Sequence, residues 1–261
     1  MISSYGPHFG EETPLVGRHG SGTIFFTYCN LQCVFCQNYT ISQLGEGRAV
    51  DVGREELAGM MLSLQAKGCH NINLVSPTHV VPFIVDALEL AVGKGLYLPL
   101  VYNSGGYDSV KTLGLLDGII DIYMPDMKYS DEKVAEQLSG IKNYPRVNKA
   151  AVKEMHRQVG DLQMDKQGVA YHGLLVRHLV LPNRIAGTQE VVRFLAQEVS
   201  TNIYLNIMAQ YRPGYKAFDI PQLARPVNRQ EFYEAIDLAH QQGLYRLDKV
   251  YTPLPLELIS R

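Results

Sequence analysis

The chain has 261 residues, 46% of them apolar, enough for one substantial core and within the size range of a single α/β barrel. Its 24 basic and 26 acidic residues leave a formal charge of −2, which gives no electrostatic basis for nucleic acid as a partner. No apolar run approaches the roughly 20 residues of a membrane span, and residues 1–7 lack the basic start and apolar stretch of an export signal, so a reduced, cytoplasmic setting without a membrane partner is expected.

Residues 1–18, rich in Gly, Pro and Glu, read as a lead-in rather than a domain. Gly17-Arg18-His19-Gly20-Ser21-Gly22 has the glycines of a nucleotide loop, but it precedes a strand instead of opening a helix, so the glycines serve a tight turn. Residues 22–26 are strand-like. A helix over 54–67 follows from Leu57, Met60, Met61 and Leu64 at i, i+3, i+4, i+7. Residues 71–75 form the second strand, and the next helix carries Val81, Ile84, Val85 and Leu88 on one face, with Pro82 in its first turn. Then come a strand over 98–102, a short helix over 108–116 and a strand over 119–124. Ser130 is placed as an N-cap ahead of Asp131 and Glu132. A strand over 174–181, a helix over 188–199 and a strand over 202–208 lead to a capping-box start at Asn228 and Glu231, with Phe232, Ala235, Ile236 and Ala239 as the buried stripe. Six strand–helix units predict an α/β fold with a parallel sheet in a single domain. Eight are needed for closure, so the expectation is a partial (β/α)6 TIM-like barrel over 19–243, with 244–261 an extended tail at a sheet edge.

Three of the four cysteines fall within eight residues, Cys29-Asn30-Leu31-Gln32-Cys33-Val34-Phe35-Cys36, directly after the first strand. The C-x3-C-x2-C spacing lets a short loop present three thiolates to one face of a [4Fe–4S] cluster. Such clusters are normally held by four cysteines, so one iron is left without a protein ligand, which marks a reactive site rather than a structural one. A zinc site is the alternative, with Cys69 or His70 as fourth ligand; structural disulfides do not suit a chain without an export signal.

The carboxyl ends of parallel strands are where ligands gather. Here those ends are the cysteine loop, Ser76-Pro77-Thr78-His79, Asn103-Ser104-Gly105-Gly106, Asp126-Met127-Lys128, the stretch from Arg177 to Pro182, and Ala209-Gln210-Tyr211-Arg212. Most are polar or glycine-rich, while the strand bodies are apolar.

The cysteine motif with Phe35 before its last member resembles the radical S-adenosylmethionine (SAM) enzymes. More narrowly, Gly20-Ser21-Gly22-Thr23-Ile24-Phe25-Phe26, Cys33-Val34-Phe35-Cys36-Gln37-Asn38-Tyr39 and His70-Asn71-Ile72-Asn73-Leu74-Val75-Ser76-Pro77-Thr78-His79 are similar to an iron–sulfur subgroup of the branch related to the pyruvate formate-lyase activating enzyme. The resemblance runs from about Gly17 to Ala217. It implies a [4Fe–4S] cluster on Cys29, Cys33 and Cys36, SAM as second cofactor, and an enzyme that turns SAM into a hydrogen-abstracting radical. It also implies a one-electron donor such as flavodoxin or ferredoxin. The target is a glycine of a glycyl radical enzyme, or else another peptide or a small metabolite. By resemblance, Ser76 and Thr78 stand where relatives use Gly-Gly-Glu for the SAM amino group. Asn103 and Ser104 stand at the ribose, Lys128 near the methionine carboxylate, Phe35 beside adenine, and Tyr211 where relatives often carry a histidine. Arg177 joins them as a cofactor-site candidate at its strand end.

Each candidate also has a plain structural reading. His79 caps a helix; Lys128 and Arg177 pair with Asp126 or Asp121; Asn103 satisfies a turn; Cys69 is a small buried residue closing the first helix. For the whole chain, the reading from a different class is a non-enzymatic iron–sulfur or zinc protein.

Overall fold

A computed structural model describes residues 1–43 and 49–248. Strand β1 (Ile2–His8) runs antiparallel to β2 (Ser21–Phe26). From β2 onward the neighbours are parallel and follow chain order: β3 (Ile72–Val75), β4 (Leu100–Ser104), β5 (Ile122–Pro125), β7 (Ala170–Leu179) and β8 (Tyr204–Met208). The two-residue β6 (Gln163–Met164) is an antiparallel appendage of β7. The result is the expected α/β partial barrel of six parallel strands.

Alternation along the strands separates the two faces of this sheet. Ile24, Leu74, Tyr102, Tyr123, Val176 and Leu205 join one large core. It includes residues of the helices α3 (Arg54–Ala66), α4 (Val81–Gly93), α5 (Val110–Gly114), α6 (Glu132–Ser139), α7 (Tyr144–Val159), α8 (Thr188–Glu198) and α9 (Arg229–Gln241). Val101, Ile122, Met124 and Leu175 face the barrel interior and form a second, smaller cluster around Leu15.

Leu15 belongs to the short helix α1 (Thr13–Val16); a second short helix, α2 (Tyr39–Ser42), follows the cysteine loop. The lead-in of residues 1–18 therefore supplies both a sheet strand and a plug: Leu15 is fully buried, its carbonyl accepts from Asn71 Nδ2 at 2.9 Å, and Glu12 beside it is buried too. Removing such a leucine side chain costs about 2–5 kcal/mol.

Several boundaries move. The strands expected at 98–102 and 119–124 begin two and three residues later, as β4 and β5, and β7 begins at Ala170 rather than at 174. The N-cap of α6 is Asp131, whose carboxylate accepts from Val134 N at 2.9 Å. Ser130 instead donates its backbone N–H to Ala186. Helix α7 is not among the expected elements, although Ala151, Val152, Met155 and Val159 form an apolar stripe; a Tyr-Pro start and Asn148 on the same buried face obscure it. The capping box of α9 forms as anticipated, with Glu231 N donating to Asn228 Oδ1 at 2.9 Å and Asn228 N donating to Glu231 Oε2 at 3.0 Å. Of the tail, residues 246–248 lie along β8, where Leu205 N donates to Arg246 O and Asp248 N to Leu205 O. The remainder, 249–261, lies outside the described residues.

Candidate active site

β2 aims the cysteine loop over the carboxyl ends of the strands. Tyr28, at φ 64°, reverses the chain, and its N–H bonds Ile41 O. The loop then docks on the end of α6 through Gln32 N to Ser139 O and Val34 N to Leu138 O. Behind β8, Lys216 N donates to Val34 O, and Arg212 Nε donates to Gln37 Oε1 at 2.8 Å. The loop is thus clamped from both sides.

All three thiols are reduced and line one cavity of about 400 Å³. Cys29 Sγ accepts from Leu31 N at 3.4 Å, Cys33 Sγ from Ser139 Oγ at 3.0 Å, and Cys36 Sγ lies 3.2 Å from Ser42 Oγ. Burial pushes the Cys33 thiol up to about 11 and raises that of Cys29. A metal that takes these sulfurs must therefore displace protons.

The glycines at the end of β4 make room for the loop. A side chain on Gly105 would meet Leu31, and one on Gly106 would meet Asp126 O and Asn148 Nδ2. Gly106 also sits at φ +71°, the left-handed region that disfavours other residues. Gly106→Ala is expected to cost about 3 kcal/mol, read as a lowered urea midpoint; an unchanged midpoint would show that the loop yields freely.

Beneath the thiols lies a buried charge network. Asp126 accepts from Lys128 Nζ at 2.6 Å and from Arg177 Nε at 2.8 Å, one cation on each oxygen. Arg177 donates further to Asn103 Oδ1 at 2.7 Å and stands 3.6 Å from Glu12 Oε1. Burial alone would raise the Asp126 carboxyl, but Arg177 and Lys128 hold it below the usual carboxylate range. Burial would likewise depress the Lys128 ammonium, and Asp126 reverses that, keeping it charged. The anticipated ion pairs thus form with Asp126, while Asp121 instead accepts from Leu100 N.

Ser76, Asn103, Ser104, Lys128 and Arg177 line the cavity with the cysteines. Ser76 holds a left-handed φ of 57° on a non-glycine residue, a local strain that the surrounding fold must support. Ser104 donates to Asp108 Oδ2 at 2.6 Å, which turns its hydroxyl toward that buried acid. Thr78 stands apart, its hydroxyl donated to Asp108 Oδ1 at 2.7 Å. Phe35 and Tyr211 are buried behind the loop, rings edge-on at 5.7 Å, with Tyr211 Oη donating to Leu223 O at 2.7 Å. His79 caps no helix, because its Nε2 meets Thr27 O at 2.8 Å.

Sequence reasoning missed Glu11 and Glu12, which line the same cavity from the lead-in, and Asn73 and Asn206 on β3 and β8. The signal available was the adjacent acidic pair in an otherwise small-residue segment. Burial and the neighbouring Glu12 raise the Glu11 carboxyl from its ordinary 4.5 to about 7, opposed by Arg177 and Asn73, with Asp126 adding to the rise. A carboxyl so raised stabilises the fold fully below its unfolded value. The contribution, about 3 kcal/mol, is lost as the pH climbs to the folded value. Glu11→Gln is therefore expected to flatten the decline in melting temperature between about pH 5 and pH 8; superimposable profiles would contradict this.

The donor set can be tested for fit. Cys69 and His70 precede β3, at the amino end of the sheet, whereas the three thiols follow β2 at the carboxyl end. Neither can complete a zinc site there. Among the described residues no three His, Cys, Asp or Glu side chains meet around one metal ion. A [4Fe–4S] cube asks for three separate sulfurs on different corners, and one wall of free thiols suits that demand.

A protein from Methanocaldococcus jannaschii, uncharacterized protein MJ0674, is 32% identical over 252 residues, covering 94% of this chain and 67% of that one. The chain belongs to the MJ0674 family. No protein-family model matches it. The MJ0674-family chain shares its fold with solved enzymes at low identity. A radical SAM methyltransferase from Sphaerobacter thermophilus superimposes at a TM-score of 0.58 and 13% identity, over 85% of this chain and 64% of that structure. The [FeFe]-hydrogenase maturase HydG from Carboxydothermus hydrogenoformans superimposes at 0.54 and 12%, over 84% and 50%. Methylornithine synthase (PylB) does so at 0.54 and 17%, over 84% and 62%. This chain thus spans half to under two thirds of the length of these solved structures. No helix among its described residues is long and apolar enough to cross a membrane.

Proposed function

We propose that the chain is a radical SAM enzyme. The observation that carries this reading is the convergence of three free thiols on one cavity that also holds Lys128 and Asn103, in a barrel of the same fold as a radical SAM methyltransferase. Cys29, Cys33 and Cys36 would hold the [4Fe–4S] cluster. Bound there, the cluster would supply the electron for reductive cleavage of SAM, the chemistry that leads to hydrogen-atom abstraction from a substrate.

The chain's own residues bind and orient. Lys128 keeps its positive charge through Asp126 and can receive a carboxylate by a charge-assisted bond. Ser76 offers a hydroxyl beside Cys29. Asn103 is held in place by Arg177, leaving its position fixed for a ligand's hydroxyls. The buried walls exclude water from a reactive intermediate. A one-electron donor of the flavodoxin or ferredoxin type completes the reaction.

Reconstitution under anaerobic conditions should give a brown protein with about four irons per chain, and dithionite with SAM should release 5′-deoxyadenosine. A colourless protein, or an iron–sulfur protein inert to SAM, would favour a non-enzymatic role. The resemblance of Gly20–Phe26 and Cys33–Tyr39 to the pyruvate formate-lyase activating branch carries a second, narrower reading, in which the hydrogen comes from a backbone glycine of a partner enzyme. Its test is a glycyl radical signal on mixing with such partners.

A further inference from the structure

The cavity beneath the cysteine loop carries one carboxylate more than its cations answer. Glu11, Glu12 and Asp126 face it, against Lys128 and Arg177. Both oxygens of Asp126 are taken by those two cations. Arg177 approaches Glu12 at Oε1, where Asn206 Nδ2 also donates at 3.1 Å. The other oxygen, Glu12 Oε2, is buried without a hydrogen bond on a residue that is only 7% exposed. Asn73 is fully buried, and neither end of its amide makes a hydrogen bond of ordinary length, its one polar neighbour of note being the Glu11 carboxyl. It lies two residues before Val75 on β3, hence on the same inward face as that cavity-lining residue. Glu11 interacts with both Glu12 and Asn73. Buried polar atoms in folded proteins are almost always paired; Glu12 Oε2 and Asn73 Oδ1 are acceptors and call for a ligand that donates, while Asn73 Nδ2 is a donor on the side of Glu11.

We propose that this interior pocket binds the protonated primary amine of the substrate, its three N–H bonds accepted by Glu12 Oε2, a Glu11 carboxylate oxygen and Asn73 Oδ1. A primary ammonium has three donors and no acceptor, and its positive charge answers the carboxylate that Lys128 and Arg177 leave over. A divalent metal is a poorer occupant, because such ions take six or more oxygen ligands and no three His, Cys, Asp or Glu side chains converge on one point among the described residues. A partner's glycine loop would bring no cation at all. The inference rests on the radical SAM reading, in which the amine belongs to the molecule that loses hydrogen.

The test uses the reconstituted 261-residue chain near neutral pH, with thermal melting as readout. The probes are 1,5-diaminopentane and the peptide N-acetyl-Gly-Lys-Gly-amide. The uncharged controls are 1,5-pentanediol and the same peptide acetylated on its lysine. At least one amine should raise the melting temperature saturably while its control does not, and Glu12→Gln should weaken the apparent affinity about tenfold or more. Glu11→Gln serves as a second variant should the first fail to fold. A response to the diamine alone assigns a small amine, and a response to the peptide assigns a lysine of a polypeptide; either supports the ammonium. No response to either amine, an equal response to the uncharged controls, wild-type response in the variants, or a matching effect of Mn²⁺ overturns it. SAM cleavage by the same wild-type preparation separates the two layers. 5′-Deoxyadenosine without an amine response sinks this inference and spares the radical reading. An amine response without 5′-deoxyadenosine does the reverse.

Discussion

Cys33→Ala, reconstituted with iron and sulfide in the absence of oxygen, is expected to retain less than roughly a tenth of the wild-type iron and to release no 5′-deoxyadenosine with dithionite and SAM. Cys33 is buried, and its sulfur accepts from Ser139 at the docked end of the loop. Neither neighbouring cysteine can take its place, because Gln32 and Val34 pin the backbone on either side. On the radical SAM reading the cluster would have three protein ligands and none to spare. Cys69→Ala is the matched control. It is also buried, but it follows α3 at the amino end of the sheet, with Cys69 N bonded to Leu64 O. Its loss should cost about 1 kcal/mol of stability and leave iron content alone. A brown Cys33→Ala protein that still cleaves SAM would end the radical reading; a colourless Cys69→Ala protein would reopen the question of the ligands.

The largest effect on stability is expected at Arg177. Its guanidinium binds Asp126 and Asn103 and faces Glu12, all inside the barrel. Arg177→Leu leaves a buried carboxylate at Glu12 with one neutral donor, and Asp126 with Lys128 alone. Breaking a buried pair from one side typically costs about 3–5 kcal/mol, well above the loss from a surface ion pair such as Lys153 with Glu198. Arg177→Lys should recover only part of this, since one ammonium cannot span three partners that a planar fork reaches together. Urea unfolding followed by circular dichroism measures both; a loss under about 1 kcal/mol for the leucine variant would mean that water enters and the network counts for little.

The sheet was legible because its strands are buried on both faces and its helices repeat an apolar stripe. Leu57, Met61 and Leu64 are fully buried, as their spacing required, while Met60 of the same expected stripe is only partly buried. What escaped was whatever packs by polar contacts. Helix α7 does carry an apolar stripe at Ala151, Val152, Met155 and Val159, but no period announces that Asn148 on that face donates to Gly106 O and Asp126 O, each at 2.9 Å. Asp108 is similar: it gathers hydroxyls from Thr78, Tyr102 and Ser104, drawing Thr78 away from the cysteine cavity. Arg177 and Lys128 could be nominated from their strand ends, with Asp126 or Asp121 as partner; that both settle on Asp126, one on each oxygen, became apparent only in three dimensions. The lead-in was the least readable stretch. Residues 2–8 gain their strand identity from pairing with β2 rather than from their own alternation, and Glu12 reaches Arg177 across more than half the chain.

That last contact bears on how the molecule can be cut. A minimal version begun at residue 19 would look tidy on paper, since everything after it belongs to the repeating units. It would in fact pull the stopper from the bottle: Leu15 would vacate the floor, Asn71 would lose its acceptor, and Arg177 would face one acid instead of two. Anyone trimming this chain for crystallisation should keep all of residues 1–18, down to Met1, whose carbonyl accepts from Thr27 N just before the cysteine loop.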